Sequence, residues 1–338
     1  MESMSTRAIT PDAEGEWRPA AAYSLAQTLG VLQRGTHDPT VRVGDSSAWL
    51  CFRHDGGPVT LRLDLARDPA PAHGDPAPAL LRWRAWGEGA QHDGFADAVV
   101  RLAGGADDWS VFDAGDFPAA LPPIVQRARR AHPGLRLPAT GRVFDALVPV
   151  VLEQKVTTIE ARFAWRYLAG RFGDAPPSPA SGPGDSVLPA GLRLPPTPAQ
   201  IRRIPSWEWH AARVDSARSR TLLRAAESAA GLDRLARSTL DDRPGRALQS
   251  LPGIGPWTAA EVLQRSHGDP DSVSVGDFHL SGFVGEALTG SRTDDVGMLD
   301  LLRPWHGHRQ RVVRMIAASG FRKQAHGPRL APRDYRRF

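Results

Sequence analysis

Two short segments hold residues whose types and spacing could do chemistry. One is Leu251-Pro-Gly-Ile-Gly-Pro-Trp-Thr-Ala259, and the other is Ser274-Val-Gly-Asp-Phe278, which puts Asp277 eighteen positions after Ala259. In the first, Leu-Pro-Gly-Ile-Gly predicts a tight turn between two helices, one over 244–250 and one running from Pro256 to about 264. Gly253 and Gly255 offer the positive-φ freedom of a sharp turn. Pro256 suits a first helical turn, where its missing N–H would be unpaired anyway. Such a turn leaves backbone N–H groups open at a helix N-terminus, an anion site that a phosphate fits. Asp277 stands before Phe278-His-Leu-Ser-Gly-Phe-Val284, where an aspartate serves as an N-cap. A carboxylate fixed there could also stabilise positive charge or orient and deprotonate a water. The two roles are compatible, because the positive end of a helix favours a carboxylate.

Together the hairpin and the Val-Gly-Asp segment resemble the helix-hairpin-helix family of DNA glycosylases, and within it the bacterial 3-methyladenine DNA glycosylase II type. Gly134-Leu-Arg-Leu-Pro138, Leu152-Glu-Gln-Lys-Val-Thr157 and Pro304-Trp305 fall where that family has related segments, so the likeness covers most of the chain. The resemblance implies that Asp277 is the catalytic carboxylate. Breaking an N-glycosidic bond leaves positive charge on the sugar, which a carboxylate beside C1′ stabilises. It implies that Gly253, Ile254, Gly255 and Thr258 grip the DNA backbone. It implies a base pocket walled by Trp257, Phe278 and Trp305, whose faces suit a cationic alkylated purine; core packing is the ordinary alternative for each. Glu261 stands where the relatives have an aromatic residue, and its carboxylate has three readings: pairing with a cationic base, bonding a donor edge, or simple solvation. Trp207 and Trp209 could add to that wall, but read first as core.

Two more expectations come from the resemblance. Glycosylases that also cut the strand place a lysine amine at the position of Trp257, and tryptophan forms no Schiff base. A monofunctional enzyme follows, leaving an intact abasic site. The turn Gln154-Lys155-Val156 corresponds to the wedge that fills the gap left by a flipped nucleotide. Lys155 occupies the place of an apolar plug and reads either as a plug or as a phosphate contact. Gln154 could meet the orphaned partner base through its amide.

Composition bounds these readings. The chain has 338 residues, 41% hydrophobic, with a net charge of +5. Nearly all its cations are arginine, Lys155 and Lys323 being the only lysines. Codon usage would give such an excess; so would a polyanionic partner, which the sign of the charge favours. Cys51 is the only cysteine. It reads as a small buried strand residue, and the count excludes an iron–sulfur cluster or a cysteine zinc site. No metal site is expected, and no cofactor beyond room for a monovalent cation at the hairpin loop. No apolar run approaches a membrane span and the N-terminus lacks a signal peptide's apolar core, so a cytoplasmic, nucleoid-associated monomer is expected, with damaged double-stranded DNA as partner.

The expected fold is α+β: a small N-terminal antiparallel-sheet domain, TATA-binding-like by the resemblance, then an all-α helix-hairpin-helix glycosylase domain. Residues 1–18 are polar and expected to be disordered. Residues 19–118 form the α+β domain, with a helix over 20–32, strands over 40–43, 48–52, 59–65 and 81–85, a hairpin turn at His54-Asp-Gly-Gly57, a proline-rich loop over 70–79 and a helix over 94–102. From 119 to 322 the helical period dominates, with helices over 143–152, 159–172, 215–230 and about 306–319. Thr157 and Glu160 have capping-box spacing. A loop rich in Pro, Gly and Ser fills 174–198, and 323–338 is a basic tail. Two other functions compete with the alkylbase glycosylase: a non-catalytic damage-binding protein using the hairpin alone, and a glycosylase for a neutral oxidised or deaminated base.

Overall fold

The computed structural model describes residues 10–67, 79–178 and 187–323. Five strands, β1 (Ala13–Trp17), β2 (Val41–Val43), β3 (Ser47–His54), β4 (Gly57–Arg67) and β5 (Ala79–Trp86), form one antiparallel sheet in the order β1-β5-β4-β3-β2. Asp55 and Gly56 join β3 to β4 with φ of 46° and 85°. Two successive positive φ values are what a two-residue primed turn demands, and Asp-Gly supplies them.

The stretch expected to be disordered up to residue 18 contains β1 instead, paired with β5 from Ala13↔Ala85 to Trp17↔Leu81. Its Ala-Glu-Gly-Glu-Trp alternates half-buried and exposed positions, the period of an edge strand. Residues 1–9, most of the proline-rich loop and the basic tail after Lys323 lie outside the described residues.

One sheet face packs on α1 (Leu25–Leu29) and α2 (Phe95–Leu102) through Leu25, Leu29, Phe95, Val99 and Leu102. The helix expected over 20–32 is therefore short. Ser24 caps it, and a 3-10 turn over Gly30–Leu32 ends it. The other face carries Trp49, Cys51 and Trp86, covered by Leu192 and Leu194. Those two leucines belong to the segment expected to be a loose loop. Arg193 N–H donates to Pro39 O at 2.6 Å and Leu194 N–H to Asp174 O at 3.0 Å, so both ends of that segment are tied down. Cys51 is 2% exposed, and burial pushes its thiol up to about 12, as an inert core residue requires.

The rest of the described chain is helical: α3 (Ser110–Asp113), α4 (Phe117–Ala120), α5 (Pro123–Ala131), α6 (Val143–Leu152), α7 (Thr158–Phe172), α8 (Pro198–Arg202), α9 (Ser206–Ala211), α10 (Ser216–Glu227), α11 (Ala229–Leu235), α12 (Asp242–Gln249), α13 (Pro256–Ser266), α14 (Leu280–Thr289), α15 (Asp295–Leu302) and α16 (Arg309–Ala318). Nine of the ten residues of α6 are buried, which explains its nearly unbroken apolar sequence. Thr157 and Glu160 form the complete capping box at the start of α7. Two hydrophobic cores divide the helices. The first gathers around α6 and includes Leu248 of α12 with Ala259, Val262 and Leu263 of α13. The second joins Val125 of α5, Val284 of α14, Leu302 of α15 and Ile316 of α16. The hairpin therefore belongs to one core and the segment with Asp277 leads into the other. Among the described residues no helix is long and apolar enough to cross a membrane.

Candidate active site

Asp277 sits where the two helical cores meet. Its Oδ1 accepts from the backbone N–H of His279 at 2.8 Å and of Leu280 at 2.9 Å, so it holds the start of α14 as expected, although from two residues before the N-cap position, which His279 occupies. Its Oδ2 accepts from the indole Nε1–H of Trp257 at 3.1 Å. One oxygen is thus used to start α14, while the other is held from the opposite wall by the hairpin helix. Three N–H donors fix the carboxylate plane and leave Oδ2 with an unused lone pair. Gly276, with φ of 90°, makes the sharp bend that brings Asp277 to this edge.

The hairpin has the expected shape, with one difference in how it is made. Gly253 has φ of 97°, and a Cβ there would lie 2.1 Å from Thr221 Oγ1, so glycine is required twice over. Gly255 has φ of −97° and ψ of −176°, ordinary extended backbone, and a Cβ there would meet nothing within 4 Å. The expectation of positive φ at Gly255 is therefore corrected. Gly255 is the N-cap of α13 and offers no capping side chain, which keeps the first-turn N–H groups open. Ile254, expected to touch DNA, turns its side chain into the first core and is 5% exposed. Thr258 is buried, and its Oγ1 accepts from Gln154 Nε2 at 2.9 Å.

Gln154 also donates to Gly253 O at 3.0 Å. Its amide nitrogen thus stitches the turn after α6 to the hairpin. Next to it Lys155 is exposed and has φ of 54°, in the left-handed region that non-glycine residues seldom occupy. Such backbone strain persists where neighbouring contacts over-determine it. Here Gln154 anchors one side and the Thr157 capping box the other.

The aromatic residues do not gather as the resemblance implies. Trp257 is half-buried and touches the carboxylate. Phe278 is 91% exposed, and its one ring contact among the described residues is edge-on with His279 at 4.8 Å. Trp305 lies in the second core, with its indole N–H buried and without a partner among the described residues. Trp209 is core, as read, whereas Trp207 is 70% exposed because it falls on the outer side of α9. Glu261 is neither solvated nor open. Its Oε2 accepts from Arg265 Nη1 at 2.7 Å and its Oε1 from Ser274 Oγ at 2.5 Å. Burial pushes its carboxyl up, but Arg265, Ser274 and Arg34 outweigh burial and hold it below the usual range. Sequence reading missed Arg34, Glu153, Arg265 and Arg314 around it. Only the four-residue spacing of Glu261 and Arg265 on one helix was a usable signal.

Lys323 Nζ is 3.1 Å from His279 Nδ1, which brings the second lysine to the same edge as Asp277. Among the described residues no cluster of three or more His, Cys, Asp or Glu is arranged to hold a metal ion.

No protein-family model and no curated protein sequence matches the chain. Solved structures do match in shape. A 3-methyladenine DNA glycosylase from Archaeoglobus fulgidus superposes with a TM-score of 0.69 at 15% identity, over 91% of this chain and 99% of that one. An 8-oxoguanine glycosylase/lyase from Clostridium acetobutylicum, in complex with double-stranded DNA containing cytosine opposite 8-oxoguanine, superposes with a TM-score of 0.61 at 10% identity, over 92% and 98% of the two chains. Both superpositions span the sheet and the helices, so the chain has the fold of the helix-hairpin-helix DNA glycosylases.

Proposed function

We propose that the protein is a DNA N-glycosylase of base excision repair and that Asp277 is its catalytic carboxylate. The observation that carries this reading is the 3.1 Å bond from Trp257 Nε1 to Asp277 Oδ2, which spans the seam between hairpin and α14. The uncapped N-terminus of α13 receives a DNA phosphate. A flipped nucleotide then lies with its C1′ beside Oδ2. As the bond from C1′ to the base nitrogen breaks, positive charge grows on the sugar and the fixed carboxylate stabilises it. A water held by Oδ2 adds its oxygen to C1′, its proton leaves to the solvent or the base, and an abasic site remains. A purely DNA-binding protein would need the hairpin but not a carboxylate held by three donors. Incubation with lesion-bearing duplexes and identification of released free bases tests the proposal.

Trp257 at the hairpin position supports a monofunctional enzyme, since an indole cannot form a Schiff base. Borohydride is therefore expected to trap no covalent protein–DNA adduct. An adduct through Lys323, whose ammonium lies beside His279, or through Lys155 would contradict this.

For Lys155, the reading as a phosphate contact is preferred over a plug. Only its methylene stem could enter the base stack, with the ammonium left near a phosphate. Lys155→Ala is expected to weaken binding to all duplexes and to reduce the salt slope by about one unit. Excision slowed on paired lesion duplexes but not on mismatched ones, in single-turnover measurements, would show a plug instead.

The lesion class divides on charge. A cationic alkylated purine needs aromatic faces: Trp257 touches the carboxylate and the exposed Phe278 follows Asp277 directly, while Trp305 is buried in the second core. A neutral oxidised or deaminated base needs hydrogen-bond donors instead, and the free bases released from lesion duplexes of each kind distinguish the two readings.

A further inference from the structure

Among the described residues, the non-glycine positions with positive φ are Asp55, Lys155 and Arg213. Asp55 belongs to the turn between β3 and β4. The other two are exposed cations, at φ of 54° and 59°, in a region that long side chains seldom occupy. Arg213 directly follows Ala212, the C-cap of α9, a place where glycine is the usual residue. Glycine would take this backbone without strain, but the sequence puts a long cation there.

One buried side chain ties the two turns together. Arg218 of α10 is 3% exposed. Its Nη1 donates to Leu152 O at 2.9 Å, just before the turn that carries Lys155, and its Nη2 donates to Arg213 O at 3.0 Å. Its Nε donates to Asp215 Oδ2 at 3.0 Å, so its own charge is matched. One helical turn further on, Thr221 lies against Gly253 of the hairpin. Gln154 bonds the Lys155 turn to the same glycine. The hairpin, Lys155 and Arg213 are therefore fixed to one block around the start of α10.

The side chain of Arg213 is held as well, with its donors open. Its guanidinium carbon lies 4.3 Å from the ring centroid of half-buried Phe163, a cation–π stack that keeps the fork in place. Phe163 is in the second turn of α7, about 9 Å along the helix from its cap Thr157 and thus close to the Lys155 turn. The guanidinium makes no hydrogen bond or ion pair with any described residue, which leaves its N–H donors unused. The carboxylates of α7, α9 and the turn into α10 are engaged elsewhere: Glu160 in its capping box, Glu208 with Tyr167 and Arg171, Asp215 with Arg218. Arg162 and Arg166 of α7 are exposed and unpaired among the described residues, so these elements carry a positive surface. A stacked, permanently charged fork with open donors matches the oxygens of a phosphate. We propose, on the strength of the glycosylase reading above, that Arg213 is a second phosphate anchor for duplex DNA, alongside Lys155 and the hairpin.

Arg213→Gly separates binding from folding. Glycine suits a φ of 59°, so the melting temperature is expected to hold or rise while binding falls. The full-length protein is titrated with undamaged and lesion-bearing duplexes at several salt concentrations, with fluorescence as the readout. The variant is expected to bind every duplex about three- to tenfold more weakly and to lose about one unit of salt slope. Arg213→Gln, which keeps a stem over Phe163, should lose the same unit, and Arg213→Lys should keep it, because lysine retains the charge. Unchanged affinity and slope in Arg213→Gly and Arg213→Gln would overturn the inference, and duplex binding by the parent protein would leave the glycosylase reading standing. No duplex binding by the parent protein would overturn both. A loss confined to one lesion or sequence would assign Arg213 to base readout and remove it as a phosphate anchor. A lower melting temperature with the salt slope intact would assign its stack to folding alone.

Discussion

Asp277→Asn is expected to cut the single-turnover rate of base release by about a thousandfold, while lesion-duplex affinity stays within about tenfold. The carboxylate has two jobs, divided between its oxygens. Oδ1 caps α14 through His279 and Leu280, and Oδ2 takes the Trp257 indole. An amide has one acceptor oxygen, so asparagine keeps the cap, which Asn fills as well as Asp, and loses the negative charge. Folding should survive and catalysis should not. Affinity should persist because phosphate contacts at the hairpin supply most of it. Near-normal release by the variant would remove Asp277 from the chemistry. Loss of fold and binding together would leave only the helix cap.

The hairpin glycines should separate folding from binding. Gly253→Val is expected to destabilise the protein by roughly 3 kcal/mol or more, since a branched side chain at positive φ is strained and its Cβ has no room beside Thr221 Oγ1 at 2.1 Å. Thermal unfolding measures this directly. Gly255→Val should leave the melting temperature nearly unchanged, because the backbone is extended and a Cβ there meets nothing within 4 Å. It should still weaken binding to every duplex, about tenfold, by placing a side chain over the open N–H groups of α13. Weakening confined to one lesion or sequence would point to base readout. An equal stability loss in both variants would show that Gly255, too, is held by packing.

Local signals explain what was legible in the sequence. Leu-Pro-Gly-Ile-Gly-Pro, the Asp-Gly turn and the Thr157 to Glu160 box each depend on a few adjacent residues, and each forms the turn or cap that its chemistry dictates. Asp277 as a cap was legible for the same reason. Edge strand β1 was missed because its glutamates dominate its composition, although Ala13, Gly15 and Trp17 alternate with them. The return of Leu192 and Leu194 onto the sheet was missed because prolines and glycines around them read as a loop. The long-range arginine contacts were out of reach for a different reason. Arg34 meets Glu153 across 119 positions, and Arg314 approaches through α16 from the far end of the chain. No local pattern encodes such pairings. The same limit applies to Phe278 and Trp305, whose aromatic type was visible but whose exposure depends on which helix covers them.

The products of one reaction test N-glycosylase action most directly. The protein is incubated with duplexes containing hypoxanthine, 8-oxoguanine or 7-methylguanine, and both the released base and the DNA strand are analysed by mass spectrometry. The expected result is free base together with a full-length strand carrying an abasic site, with both products formed about a thousandfold more slowly by Asp277→Asn. Intact lesion DNA that is bound but never cleaved at the glycosidic bond, for these and for alkylated purines alike, would contradict it.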